Sequence, residues 1–268
     1  MHENIVITGS SGFIAKALIK RLDKKKISFQ AYSRKKNDNI ISISNYGNIR
    51  PKKNSILVHL AQSHKPKKNF KSEINLINLL SKKKWKHIIF ASSANIYGDD
   101  SIKPHKESEK VFPFNYYTKL KNDSEKIILK SKGTVMRFSN IYGHQTNKKT
   151  VIGLILDKIF NKKEIVMREI QSIRDFIWID DVIDSIICSI KKKPGKILNI
   201  GSGKNYSIKD VILIALRASG AKIKKIKSKK KLKKISIISI NIKHAKNELN
   251  WVPKVSLKKG LEKIFKKI

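Results

Sequence analysis

The segment Asn4-Ile-Val-Ile-Thr-Gly-Ser-Ser-Gly-Phe-Ile-Ala15 constrains this chain more than any other. A short apolar run, Ile5 to Ile7, ends in Thr8-Gly9. Gly12 follows, and a helical pattern starts at Phe13. The reading is a strand, a tight turn and a helix N-terminus. Backbone N–H groups at such a terminus point outward with the positive end of the helix dipole, so a pyrophosphate can sit there. Gly9 permits the turn, and Gly12 lets a phosphate approach the backbone. Ala15 is the third small position, where helix and strand pack closely.

The pattern then repeats. Apolar strands read at Ile5–Thr8, Ile27–Tyr32, Ile56–Leu60, Ile88–Ala91 and Thr134–Phe138, with helical patterns at Phe13–Leu22, Phe70–Leu80 and Tyr117–Leu129. Strands alternating with helices predict an α/β fold with a doubly wound parallel sheet. Sites in such sheets gather at the carboxyl ends of the strands, where Thr8, Ser33, Ala61, Ser93 and Asn140 stand. After Gly143 the pattern loosens. A helix reads at Val151–Phe160, a strand at Glu164–Met167, and a strand then a helix over Ile173–Ile190. Ile197–Ile200 is a strand, Ser207–Ala218 a helix capped by Ser207, and Gly260–Ile268 a final amphipathic helix. Residues 1–146, with a return segment near 174–202, read as a dinucleotide-binding domain; residues 147–268 read mainly as a smaller α/β substrate-binding domain.

The net charge is +40, and only seven of the 60 basic residues are arginine. Lysine is spread over helix faces and loops. A nucleic-acid face interleaves arginine and aromatic side chains, because these read and stack on bases. The densest basic run, Lys222 to Lys234, has no aromatic residue. The charge therefore reads as compositional drift, and nucleic acid is not the expected partner. One cysteine, Cys188, leaves no internal disulfide framework. No apolar run approaches the roughly 18–20 residues that span a bilayer, and no signal peptide pattern precedes the first strand. A cytoplasmic protein without a membrane partner is expected. No metal-ligand pattern occurs.

A lysine four residues after a tyrosine shares its helix face. The ammonium lowers the phenol pKa, and such a tyrosine can exchange the proton of a sugar or alcohol hydroxyl. Two pairs have this spacing, Tyr32/Lys36 and Tyr117/Lys121. Lysine is so common here that one match arises by chance. Tyr32 ends a strand, whereas Tyr117 opens the helix that follows the Ser93 strand, so Tyr117/Lys121 is the chosen pair. Ser93 places a hydroxyl where it can hydrogen-bond a reacting oxygen.

With these residues in hand, the chain resembles the extended short-chain dehydrogenase/reductases, the NAD-dependent epimerase/dehydratase family. The resemblance spans nearly the whole length. It rests on Thr8-Gly9-x-x-Gly12-Phe13-Ile14, His59-Leu60-Ala61, Ser93-Ala-Asn-Ile-Tyr-Gly98 and Tyr117-x-x-x-Lys121-x-x-x-Glu125. Arg137-Phe-Ser-Asn140-Ile-Tyr-Gly143, Arg174-Asp-Phe-Ile-Trp-Ile-Asp180-Asp181-Val182, Asn199-Ile-Gly201-Ser-Gly203 and Leu249-Asn-Trp251-Val-Pro253 complete it.

The resemblance implies hydride exchange at a carbon of a nucleotide-diphosphate sugar, by a 4-epimerase or a keto-sugar reductase. Tyr117 would be the acid/base. Lys121 would lower its pKa and hold the nicotinamide ribose, and Ser93 would orient the substrate oxygen. Thr8, Gly9, Ser11, Gly12, Phe13, Ile14, Ser33, Arg34, Leu60 and Ala61, with Tyr117 and Lys121, would hold the cofactor. Ser93, Asn140 and Arg174 would hold the substrate, and a homodimer is the family expectation. The chain departs from the family pattern in three places. Ala94 and Asn95 stand where the 4,6-dehydratases carry Asp-Glu, which argues against that reaction. The end of the second strand reads Tyr32-Ser33-Arg34 without the usual acid, which favours NADP over NAD. The stretch from Lys35 to Leu57 is short and lacks the usual aspartate near the adenine. A non-catalytic NAD(P)-binding relative that binds RNA or acts as a sensor is the alternative.

Overall fold

A computed structural model describes residues 3–35, 40–62, 66–98, 101, 103–222, 225–229 and 235–266. In chain order they form β1 (Asn4–Thr8), α1 (Phe13–Lys24), β2 (Phe29–Ser33), β3 (Ile41–Ser42), β4 (Ser55–His59), α2 (Phe70–Ser81), β5 (His87–Ser93), α3 (Tyr116–Lys130), β6 (Thr134–Phe138), β7 (Asn140–Tyr142) and α4 (Val151–Phe160). Then come β8 (Ile165–Met167), β9 (Ile173–Trp178), α5 (Ile179–Lys192), β10 (Ile197–Ile200), β11 (Asn205–Ser207), α6 (Ile208–Ser219), β12 (Ile226–Ser228), β13 (Ile237–Ile238), α7 (Lys243–Leu249) and α8 (Leu257–Phe265).

The main sheet has seven strands in the order β10-β6-β5-β4-β1-β2-β3. Every pairing in it is parallel. The expected doubly wound α/β sheet is therefore present. Both faces are covered, which is why its strands are nearly all apolar. Ile5 and Ile7 of β1 pack with Leu18 and Leu22 of α1 and with Val182 and Ile186 of α5. Val6 points the other way, toward Ile77 and Leu80 of α2 and Ile128 of α3. Strand order runs outward in both directions from β1 and β4, so their carboxyl ends frame the crevice of the sheet. A smaller sheet joins β11, β9 and β13, with β7 also on β9; β12 pairs with β8.

Local chemistry explains the boundaries. α3 starts at a capping box in which Asn115 and Thr118 satisfy each other's backbone N–H groups. α6 has the same device in Ser207 and Asp210, and ends at Gly220 with φ 68°. Some boundaries differ from expectation. β2 begins at Phe29 and not at Ile27, because Ile27 lies in the turn that closes α1, its N–H donating to the Leu22 carbonyl at 3.0 Å. α8 begins at Leu257, where Ser256 caps the helix. Gly260 then lies inside α8, where an added Cβ would stand 2.1 Å from the Tyr142 hydroxyl. No local sequence pattern marks the short strands β3, β7, β11, β12 and β13. Two or three residues are too few to show alternation, so only pairing with a neighbour defines them.

Candidate active site

The glycine turn is built by the strands on either side. Gly9 has φ +74°, and a Cβ there would lie 2.7 Å from the Ala61 backbone N. Only glycine fits that approach. The Gly12 N–H donates to the Gly9 carbonyl at 2.8 Å, and the Ser10 N–H to the Tyr32 carbonyl at 3.1 Å, closing the turn onto β2. α1 has no side-chain cap and no acid in its first turn. These features fit a dinucleotide diphosphate: glycine holds the turn where the backbones come closest, and no carboxylate in the first turn of α1 opposes the anion.

Thr8 ends β1 directly beneath the turn. Its side chain is fully buried and its hydroxyl is bonded to His59 Nδ1 at 2.8 Å. It braces β1 against β4 beneath the turn. The Ser33 hydroxyl reaches that of Ser11 at 3.3 Å. Arg34 extends from the end of β2, with its guanidinium 5.5 Å from the Tyr46 ring centre and 3.8 Å from Glu73 Oε1.

A cavity of about 360 Å³ opens at the strand ends. Ser93, Tyr117, Lys121 and Asn140 all line it, with Ile14 and Leu60. β5 carries Ser93, α3 carries Tyr117 and Lys121 one turn apart, and β7 carries Asn140. Lys121 is 5% exposed; its Nζ donates to the Ala91 carbonyl and lies 5.9 Å from the Tyr117 ring centre. Burial depresses Lys121 to about 8, with Glu125 and Glu73 opposing. Burial pushes the Tyr117 phenol up, and a hydrogen bond with Ser93 pulls the other way. Lys121 was expected to supply that downward pull. In the protein alone Ser93 supplies it, because the Lys121 ammonium is turned to the Ala91 carbonyl.

Behind Lys121, Glu125 is buried and accepts hydrogen bonds from Ser92 and from Arg137, the latter at 2.6 Å from Nη2. Arg137 Nη1 also donates to the Tyr97 hydroxyl at 2.8 Å, and that hydroxyl donates to Asn199 Oδ1 at 2.8 Å. This network spans β5, α3, β6 and β10.

Asn140 donates through Nδ2 to the Asp175 carbonyl at 3.0 Å. Arg174 is not among the residues lining the cavity. Its guanidinium donates to the Ser236 carbonyl at 2.8 Å and the Ser236 hydroxyl at 2.7 Å. The Asp175 side chain, fully buried, accepts from the backbone N–H groups of Ser202 and Gly203 at 2.8 Å each. Asp175 thus ties β9 to the loop after β10. The Arg174-Asp-Phe motif marks its position but not its partners, and no local pattern marks Gln62 or Glu73. Lys36, of the rejected Tyr32/Lys36 pair, lies outside the described residues. Among the described residues no cluster of metal-binding side chains occurs, and no helix is long and apolar enough to cross a membrane.

The NAD dependent epimerase/dehydratase family profile matches residues 5–201. The chain is 28% identical to the dTDP-4-dehydro-6-deoxyglucose reductase of Escherichia coli over 98% of this chain and 97% of that one. It is 28% identical to the UDP-glucuronate 4-epimerase of Thermodesulfobacterium geofontis, over 73% of this chain and 63% of that one. The UDP-glucose 4-epimerase of Thermotoga maritima, solved with UDP-glucose, superposes with a TM-score of 0.85 at 20% identity, over 98% of this chain and 99% of that one. The profile match and these likenesses place the chain in the NAD dependent epimerase/dehydratase family.

Proposed function

We propose that the protein is an NAD(P)-dependent nucleotide-sugar oxidoreductase, either a keto-sugar reductase or a 4-epimerase, with Tyr117 as its acid/base. The observation that carries this reading is the meeting of Ser93, Tyr117 and Lys121 in one cavity at the carboxyl end of the sheet. The dinucleotide, when bound, supplies the acceptor and donor of hydride. Gly9, Ser11 and Gly12 hold its diphosphate, and Lys121 its nicotinamide ribose. Tyr117 takes or gives the proton of the sugar oxygen at its Oη. Ser93 orients that oxygen, and Asn140 lies beside it. Lys121, charged below about pH 8, favours the phenolate once its ammonium faces the phenol. Residues 1–146, with the return segment near 174–202, form the cofactor half, and residues 147–268 mainly the substrate half.

A 4,6-dehydratase needs carboxylates that this cavity does not offer. Among the described residues none of those lining it is Asp or Glu, and Ala94 and Asn95 follow Ser93. Arg34 supports NADP and hence a reductase, which agrees with the near full-length likeness to the Escherichia coli reductase. The deciding experiment is to purify the protein, denature it and identify any released dinucleotide by mass spectrometry. Near-stoichiometric NAD⁺ means a recycled cofactor and an epimerase. An empty site that then binds NADPH tightly means a reductase.

A further inference from the structure

Arg34 is paired from below. Glu73 of α2 has a side chain only 8% exposed, and its Oε1 lies 3.8 Å from Arg34 Nη1, whose side chain is 45% exposed. A carboxylate this deeply buried is costly unless a cation answers it. Two cations do so. Arg34 is the ion-pair partner, and the field of Glu73 also reaches Lys121. Gln62, Glu73, Lys121 and Ser124 share the walls of a small void of about 10 Å³ between α2, α3 and the sheet. The guanidinium is further held over the Tyr46 ring.

We infer that Glu73 sets the preference between the two dinucleotides. This rests on the reading that Arg34 faces the adenosine 2′ position. A 2′-phosphate must share the guanidinium with a carboxylate that is already there and that repels the phosphate. Glu73 thus holds down the 2′-phosphate affinity that Arg34 alone would confer, and leaves a 2′-hydroxyl acceptable. The acid usually found at the end of the second strand is absent, and its counter-charge is supplied from α2 instead.

Adenosine 2′,5′-bisphosphate and 5′-AMP are suitable probes, because neither depends on turnover. Their dissociation constants are measured by calorimetric titration for the wild type, Glu73→Gln, Arg34→Ala and the double variant. Glu73→Gln is expected to tighten adenosine 2′,5′-bisphosphate five- to tenfold and to leave 5′-AMP within twofold. Arg34→Ala is expected to weaken the bisphosphate, and Glu73→Gln to give a smaller gain in that background than in the wild type, because only the direct repulsion and not the sharing of the guanidinium is left to relieve. If Arg34→Ala weakens the bisphosphate but Glu73→Gln leaves it unchanged or weaker, the role of Glu73 is overturned while Arg34 keeps its own. If Arg34→Ala changes nothing, the reading of Arg34 itself falls, and the inference with it. Glu73→Met removes the same charge at similar length; it gives the same gain if Glu73→Gln does not fold, and absence of that gain overturns the inference.

Discussion

Arg137 grips Glu125 with two prongs: Nε and Nη2 both donate to the one carboxylate, at 3.2 and 2.6 Å to Oε2, and the side chains are 4% and 3% exposed. Removing one partner leaves an uncompensated buried charge, which costs about 3–5 kcal/mol. Arg137→Met and Glu125→Leu are each expected to destabilise the fold by that amount. The double variant should lose less than the sum of the two. Urea unfolding of the four proteins measures the coupling, and additive losses would show that the pair is not a unit.

Tyr117→Phe is expected to lower kcat by a factor of about 10²–10⁴, the range of general acid–base catalysis. Circular dichroism and thermal unfolding should stay near those of the wild type. Tyr32→Phe should leave turnover within a few-fold. The reverse pattern would identify the wrong tyrosine.

Lys121 should cost the fold stability. Its folded pKa of about 8 lies below the ordinary 10.5, so between these values the unfolded chain holds the extra proton. Stability therefore rises with pH across that window, and the penalty for burying the ammonium is present in full below it. Lys121→Met is expected to gain roughly 1–3 kcal/mol at pH 7 while losing activity. That gain should shrink by pH 10. Denaturant midpoints of both proteins at the two pH values test it.

Acid should loosen the fold through two buried imidazoles. Burial, followed by nearby cations, holds His59 at about 3; burial and Lys193 hold His87 at about 4. Both stay neutral in the fold, while the unfolded chain protonates them near 6.5. Their stabilisation is complete above that value and is lost as pH falls toward 4 and 3. At pH 5 each is expected to have cost about 2 kcal/mol. His87→Gln keeps a hydrogen-bonding group and removes one titration, so it should show about half of that acid loss. An equal loss in the variant would exclude His87 as a cause.

If Arg34 faces the adenosine 2′ position, as proposed, Arg34→Asp should weaken NADP binding at least tenfold more than NAD binding, because it reverses the charge there. Fluorescence titration with both dinucleotides checks this. Equal losses would remove the argument for NADP.

By itself the sequence determined the parallel sheet, the glycine turn and the Ser93, Tyr117 and Lys121 constellation. Each is written in local periodicity: apolar runs between helices, glycines at a strand-to-helix junction, two side chains one helical turn apart. It also carried the family. What only the tertiary structure decided are the contacts between residues far apart in the chain. Thr8 meets His59 across 51 residues, and Arg174 meets Ser236 across 62. Neither follows from spacing, because strand order brings them together. The same holds for Glu73, which reads as one more helix acid until α2 docks and turns it inward toward Arg34 and Lys121. Its charge matters there because burial strips away the water that would otherwise screen it.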